Sequence, residues 1–167
     1  MHAAALEGLH ALAGTYRNTP VKIQGSLHQP PDATLVADEV TMLCEYINDH
    51  WDKSAVHLAA YVLWKMNWIH PFADGNGRTA CAVSYVVLSI KLDGLLPGTP
   101  TIPEQIAANK DPYYKALESA DQAWTSGNVD VSALEALLSD MLAHQLLNAA
   151  KEAAGESVAR IGGSNFH

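Results

Sequence analysis

The sequence predicts an all-α fold: a compact helical bundle around a central buried helix, with a small β-hairpin flap. Three observations carry that expectation. Apolar residues recur at spacings of three and four through most of the chain. No charge interrupts the stretch between Arg78 and Lys91, as in a helix surrounded by others. Only the short segment 19–31 departs from the helical period, with the alternation Val21, Ile23, the breaker Gly25 and two closing prolines.

The elements follow in order. "PDATLVADEVTMLCEYINDHW" opens on Asp32, a plausible N-cap, and places Val36, Val40, Leu43 and Ile47 on one face. "KSAVHLAAYVLWKMNW" forms a second helix, halted at His70 because a residue before proline avoids helical geometry. The apolar stretch 77–92 is expected to be the central helix. "DGLLPGTPTIP" reads as a turn-rich break, "DPYYKALESADQAW" as a short helix and "DVSALEALLSDMLAHQLLNAAKEAAG" as a long amphipathic one. The tail 156–167 has little apolar content and is expected to pack loosely.

A chain of 167 residues is expected to form one domain, here placed at 1–155. Its net charge of −8 argues against binding a nucleic-acid polymer or an acidic membrane. No apolar run reaches the roughly 18 residues of a membrane span. The first residues lack the charged start and apolar core of a signal peptide. A cytoplasmic protein is therefore expected. Cys44 and Cys81 show no metal-ligand spacing and read as buried free thiols.

The chemistry concentrates in "WIHPFADGNGRTAC", residues 68–81. Gly75, Asn76 and Gly77 directly precede an apolar helix, whose first N–H groups are unpaired and carry roughly half a positive charge. Such a start is an anion seat suited to phosphate. Arg78, one of three arginines in the chain, adds a fork that matches phosphate oxygens. A cation at a helix N-terminus is unfavourable without a compensating anion, so Arg78 itself points to one. Asp74 would repel phosphate unless a divalent cation bridges them, and magnesium binds through one or two carboxylates plus substrate phosphates. His70 titrates near neutral pH and suits proton removal from an attacking hydroxyl. Taken singly, His70 also reads as a helix C-cap and Asp74 as a cap of the next helix. Phe72 reads as an apolar anchor. Trp64 and Trp68 read as packing beneath the loop, and His28, His57 and His144 as histidines with ordinary structural partners.

"HPFADGNGRTAC" resembles the Fic (filamentation-induced) domain family, whose pattern is His-x-Phe-x-Asp/Glu-Gly-Asn-Gly-Arg-x-x-Arg. Every specified position matches except the last, where Cys81 stands. "AGTYRNTPVKIQGSLHQPP" looks like the family's approach to its target-positioning flap, and "DPYYKALESAD" like its Tyr-Tyr helix. The resemblance implies a Fic fold over 1–155 and transfer of AMP from ATP, with Mg²⁺, to a Ser, Thr or Tyr hydroxyl of a target protein. It implies His70 as general base, Asp74 as the metal ligand, and Gly75, Asn76, Gly77 and Arg78 on the phosphates. Tyr113 would lie near the base of the nucleotide, while Tyr114 reads as packing. Ile23, Gln24, Gly25 and Ser26 would align the target by strand addition.

A thiol cannot supply the charge of the second arginine. Cys81 therefore leaves three readings besides efficient transfer: slow transfer, another phosphate-containing donor, or nucleotide binding with turnover lost. A toxin-like relative moving a phosphoryl group is disfavoured by the retained Gly-Asn-Gly. Many relatives are silenced by a helix bearing Ser/Thr-x-x-x-Glu-Gly/Asn. Here Glu7-Gly8 reads as ordinary helix, so an inhibitory helix would be missing or supplied by a separate protein. A homodimer is compatible with the sequence.

Overall fold

The structure is a computed structural model that describes residue 2 and residues 13–162, with side chains to residue 155. Among the described residues the architecture is all-helical: α1 Val36–Asp49, α2 Ala55–Ile69, α3 Asn76–Lys91, α4 Ile102–Ala108, α5 Asp111–Thr125 and α6 Ser132–Gly162. Asp32 caps a 3₁₀ turn, Ala33–Leu35, that leads into α1; its Oδ1 accepts the Thr34 amide at 2.9 Å and hydroxyl at 2.7 Å. Val36, Leu43 and Ile47 then face inward. Ser54 caps α2, its hydroxyl accepting the His57 amide at 3.1 Å.

The centre of the bundle is α2, not the 77–92 helix. Every residue from Leu58 to Met66 is buried, and α1, α3, α5 and α6 all pack on this helix. By contrast α3 leaves Val86 36% and Ile90 60% exposed. An uncharged stretch says what a helix can tolerate, whereas position is set by how many neighbours it acquires. Small residues bring α2 and α3 together: Ala59, Ala60 and Ala80 are fully buried, and the Ser84 hydroxyl donates to Ala59 O at 2.8 Å. One buried residue of α2 is charged. Lys65 pairs with Glu39 Oε2 at 2.9 Å and lies 3.9 Å from the ring centroid of Trp68 and 4.7 Å from that of Trp124. These contacts offset the desolvation of its ammonium.

A helix that periodicity did not reveal begins at the end of the turn-rich break. In α4, Pro103 occupies the first turn and Glu104 reaches back to the Thr101 amide at 2.6 Å. Gln145, wholly buried on α6, fixes the approach to it. Its amide nitrogen donates to Tyr85 Oη, Leu96 O and Pro97 O, and its oxygen accepts the Ile102 amide at 3.2 Å. Gly98 is required there, because a Cβ would come within 2.3 Å of Gln145 O.

The expected β-hairpin at 19–31 is not formed, and the segment carries no strand. A single turn bond, Ser26 N–H to Ile23 O at 3.3 Å, joins its arms. Pro20, Pro30 and Pro31 have no N–H to donate, and Leu27 is fully exposed, so the second arm has nothing to pack against. Cys44 also departs from expectation: it is an exposed free thiol, while Cys81 is free and half-buried. The helix expected to end near residue 155 continues to Gly162. The expected loose tail and the Glu7-Gly8 reading otherwise lie outside the described residues. No helix among the described residues is long and apolar enough to cross a membrane.

Candidate functional site

The loop between α2 and α3 is held in an unusual conformation by contacts on both sides. His70 ends α2 in the left-handed region (φ 50°, ψ 59°), its N–H bonded to Met66 O at 3.1 Å. Side chains other than glycine rarely adopt that geometry, and it persists only where the surroundings enforce it. The enforcement comes from Arg17, a buried residue. Its guanidinium donates to His70 O at 2.8 Å, Ile69 O at 3.3 Å, Thr19 O at 3.3 Å and Pro31 O at 2.6 Å. Its own amide donates to Pro71 O at 2.9 Å. One side chain thus ties the ends of the 19–31 segment to the turn at His70.

Asn76 closes the loop from within. Its buried side chain accepts the Phe72 amide and donates to Phe72 O, both at 2.8 Å, so only its backbone remains for a ligand. Phe72 is the buried anchor expected of it. His2 stacks on that ring, 3.6 Å between centroids. Gly14 N–H donates to His2 Nδ1 at 2.8 Å, so Nε2 carries the proton and donates to Asp74 O at 2.9 Å.

These braces fix the chemistry of His70. Nδ1 lies 3.2 Å from Asn67 O, and a carbonyl can only accept. The proton is therefore on Nδ1, and the Nε2 lone pair is free. Burial lowers the His70 pKa; the Asn67 bond opposes that, while the charges of Arg17 and His28 add to the lowering. The imidazole is neutral, and a base, at physiological pH.

At the other end of the loop, Gly75 takes φ 76° to turn the chain into α3, and no side chain caps that helix. The first-turn amides of Asn76, Gly77 and Arg78 precede the first intrahelical donor, Thr79 N–H to Gly75 O at 2.9 Å. Gly77 is not forced by backbone geometry. A Cβ there would meet nothing closer than Asn67 Oδ1 at 3.9 Å, so glycine keeps the space above the amides open. Asp74 Oδ1 accepts the Gly75 amide at 2.6 Å, and Oδ2 faces Arg78 at 3.6 Å with both side chains mostly exposed. One exposed carboxylate beside an anion seat fits Mg²⁺ held jointly with substrate phosphates, not a metal caged by protein alone. Among the described residues no group of three or more acidic, His or Cys side chains is placed to hold a metal ion.

A cavity of about 720 Å³ gathers most of the predicted site residues: His70, Asp74, Gly75, Asn76, Gly77, Arg78, Tyr113, Ile23 and Gln24. Gly25 and Ser26 line a second cavity of about 200 Å³, which shares Ile23, Gln24, Asn67, His70 and Tyr114 with the first. His70 therefore stands where two cavities meet. Tyr114 is half-exposed and lines both, rather than packing in the core. Trp64 is buried in the core, its indole donating to Asp121 Oδ1 at 2.8 Å, and Trp68 lines the second cavity. Cys81 and Tyr113 sit together in the first. Burial raises the Cys81 pKa to about 11, against the nearby Tyr113 hydroxyl and the charge of Lys110, so this wall carries a neutral thiol. The other histidines have structural partners: His28 with Trp68 O, His57 with Glu135 and Tyr46, His144 with Gln105.

Sequence reasoning missed Arg17, His2, Asn67, Lys22 and Lys110. Arginine scarcity was the sole signal for Arg17; nothing in the spacing brings the others to the loop.

The family model of the Fic/DOC family matches residues 1–88 of this chain. The chain belongs to that family. This Fic/DOC chain is 30% identical over 124 residues to a protein adenylyltransferase Fic of Nematostella vectensis, covering 72% of the chain and 27% of that protein. It is 29% identical over 125 residues to a Fido domain-containing protein of Dictyostelium discoideum, covering 73% and 81%. The chain thus spans about a quarter of the length of the adenylyltransferase it matches. In structure it resembles a Fic family protein from Desulfovibrio desulfuricans G20 with a TM-score of 0.69 and 23% identity, over 93% of this chain and 45% of that one. That likeness is one of fold.

Proposed function

We propose that this chain transfers AMP from ATP to a Ser, Thr or Tyr hydroxyl of a target protein, with residues 1–155 as the catalytic domain. The observation that carries the reading is the state of His70: neutral, proton fixed on Nδ1 by Asn67 O, and shared by two cavities. In the larger cavity the α3 amides and Arg78 hold the phosphates. In the smaller one, beside Ile23 to Ser26, the target hydroxyl enters. Among the described residues that segment has no strand partner, which suits it to pairing with an extended target.

His70 Nε2 takes the hydroxyl proton as the hydroxyl oxygen bonds to the α-phosphorus of ATP. The bond between the α-phosphorus and the oxygen bridging to the β-phosphate breaks, and pyrophosphate leaves. Asp74 would hold Mg²⁺, which when bound supplies charge neutralisation on the phosphates. Arg78 and the first-turn amides stabilise the growing negative charge of the leaving group. The relatives named as adenylyltransferases support this choice of donor and reaction.

Cys81 favours a second reading, nucleotide binding with weak or lost turnover or use of another phosphate-containing donor, because a neutral thiol offers no charge. Incubation with α-labelled ATP, MgCl₂ and cell lysate separates the two. Transfer predicts labelled protein, reduced at least about 100-fold in His70→Ala. Label absent from both proteins, with ATP still bound, would favour the second reading. A Cys81→Arg variant that gains label would locate the defect at that wall.

A further inference from the structure

We propose that Lys110 is a second phosphate-binding cation of the cavity and engages the terminal part of a nucleotide's phosphate chain, beyond the α3 amides. The inference rests on the nucleotide-binding reading of that site. Its starting point is charge. Arg78 and Asp74 oppose one another at 3.6 Å and formally cancel. Without further cations, the cavity of a chain with net charge −8 would meet a polyphosphate with the α3 amides and an Arg78 offset by its neighbour Asp74. The other lining cations are Lys22 and Lys110. Lys22 belongs to the 19–31 segment, on the side shared with the second cavity through its neighbours Ile23 and Gln24.

Lys110 comes from a different element. It is the residue before α5, its carbonyl accepting the Tyr114 amide at 2.9 Å. The α4–α5 connection thus brings it to the cavity that Ala107, Tyr113 and Cys81 also line, Cys81 standing one turn beyond Arg78. Its charge is close enough to lower the proton affinity of the Cys81 thiol. No carboxylate pairs with the Lys110 ammonium among the described residues. A lysine where a helix begins is opposed by the helix dipole, and Asp111 offsets this without forming an ion pair. An exposed lysine on a four-carbon stem reaches an anion as a point charge and needs no fixed fork, which suits a loosely placed terminal phosphate.

Calorimetric titration of ATP, ADP and AMP in MgCl₂ against the unsubstituted chain, Lys110→Met and Lys110→Arg tests this. Lys110→Met should weaken ATP about tenfold or more and AMP less than about twofold, with an unchanged melting temperature. Lys110→Arg should stay within about threefold of the unsubstituted chain for ATP. An ATP affinity unaltered in Lys110→Met would overturn the inference, as would equal losses for ATP and AMP, while leaving nucleotide binding itself intact. No nucleotide binding by the unsubstituted chain would overturn both.

Discussion

His70 shows how much one backbone torsion can decide. Left-handed geometry turns the imidazole out of the line of α2, and the Asn67 carbonyl selects its tautomer. Burial, the main cause, keeps its folded-state pKa below the unfolded value. The unfolded chain therefore binds the proton first as pH falls, and stability drops from the ordinary imidazole range downward. Activity should follow the folded value. The labelling rate of a purified target is expected to show an acid limb with its midpoint below about 6.5. A midpoint at or above that value would mean that His70 is not buried as described, or is not the base. Arg17 belongs to the same scale. It is a buried cation whose donors are used almost wholly on backbone carbonyls, so its role is to hold the turn, and lysine could not span those partners.

Among elements, α3 and α4 carry the cavity by different means. The start of α3 is chemical: uncapped amides, an arginine and an open space above Gly77. The contribution of α4 is positional, placing Pro103, Ile106 and Ala107 along the wall. That position depends on Gln145, whose single amide satisfies groups at both ends of the 96–102 segment. Gln145→Leu should lower the urea-unfolding free energy by about 2–3 kcal/mol, since buried backbone groups lose their partners. Nucleotide affinity should fall with it. A stability within about 0.5 kcal/mol of the unsubstituted chain would show that water or a shift of the loop replaces these bonds.

For the molecule as a whole, the decisive fact is that α2 is shared. Four helices pack on it, and both the His70 turn and the Lys65 cluster lie on or beside it. Elements that depend on one central helix should unfold together. Tryptophan fluorescence, reporting mainly on Trp64, Trp68 and Trp124 around Lys65, is expected to give the same urea midpoint as far-UV circular dichroism. Two separate midpoints would instead assign the tryptophan cluster to an independent unit. The net charge belongs to this scale too. A surface repelling polyanions surrounds one cavity lined by Arg78, Lys22 and Lys110, which favours a compact phosphate ligand over a polymer.

The motif was readable in the sequence because its residues are close along the chain. Helix start, glycine turn, carboxylate and base are encoded within nine positions, and local geometry follows from local covalent rules. The helical class was readable for the same reason, through spacings of three and four. The tertiary structure alone decided which helix is central, that 19–31 forms no strand among the described residues, that Gln145 fixes the approach to α4, and that Arg17, His2 and Lys110 converge on the loop or its cavity. Those outcomes depend on long-range packing among residues whose separation carries no periodic signal, so no window along the chain could contain them.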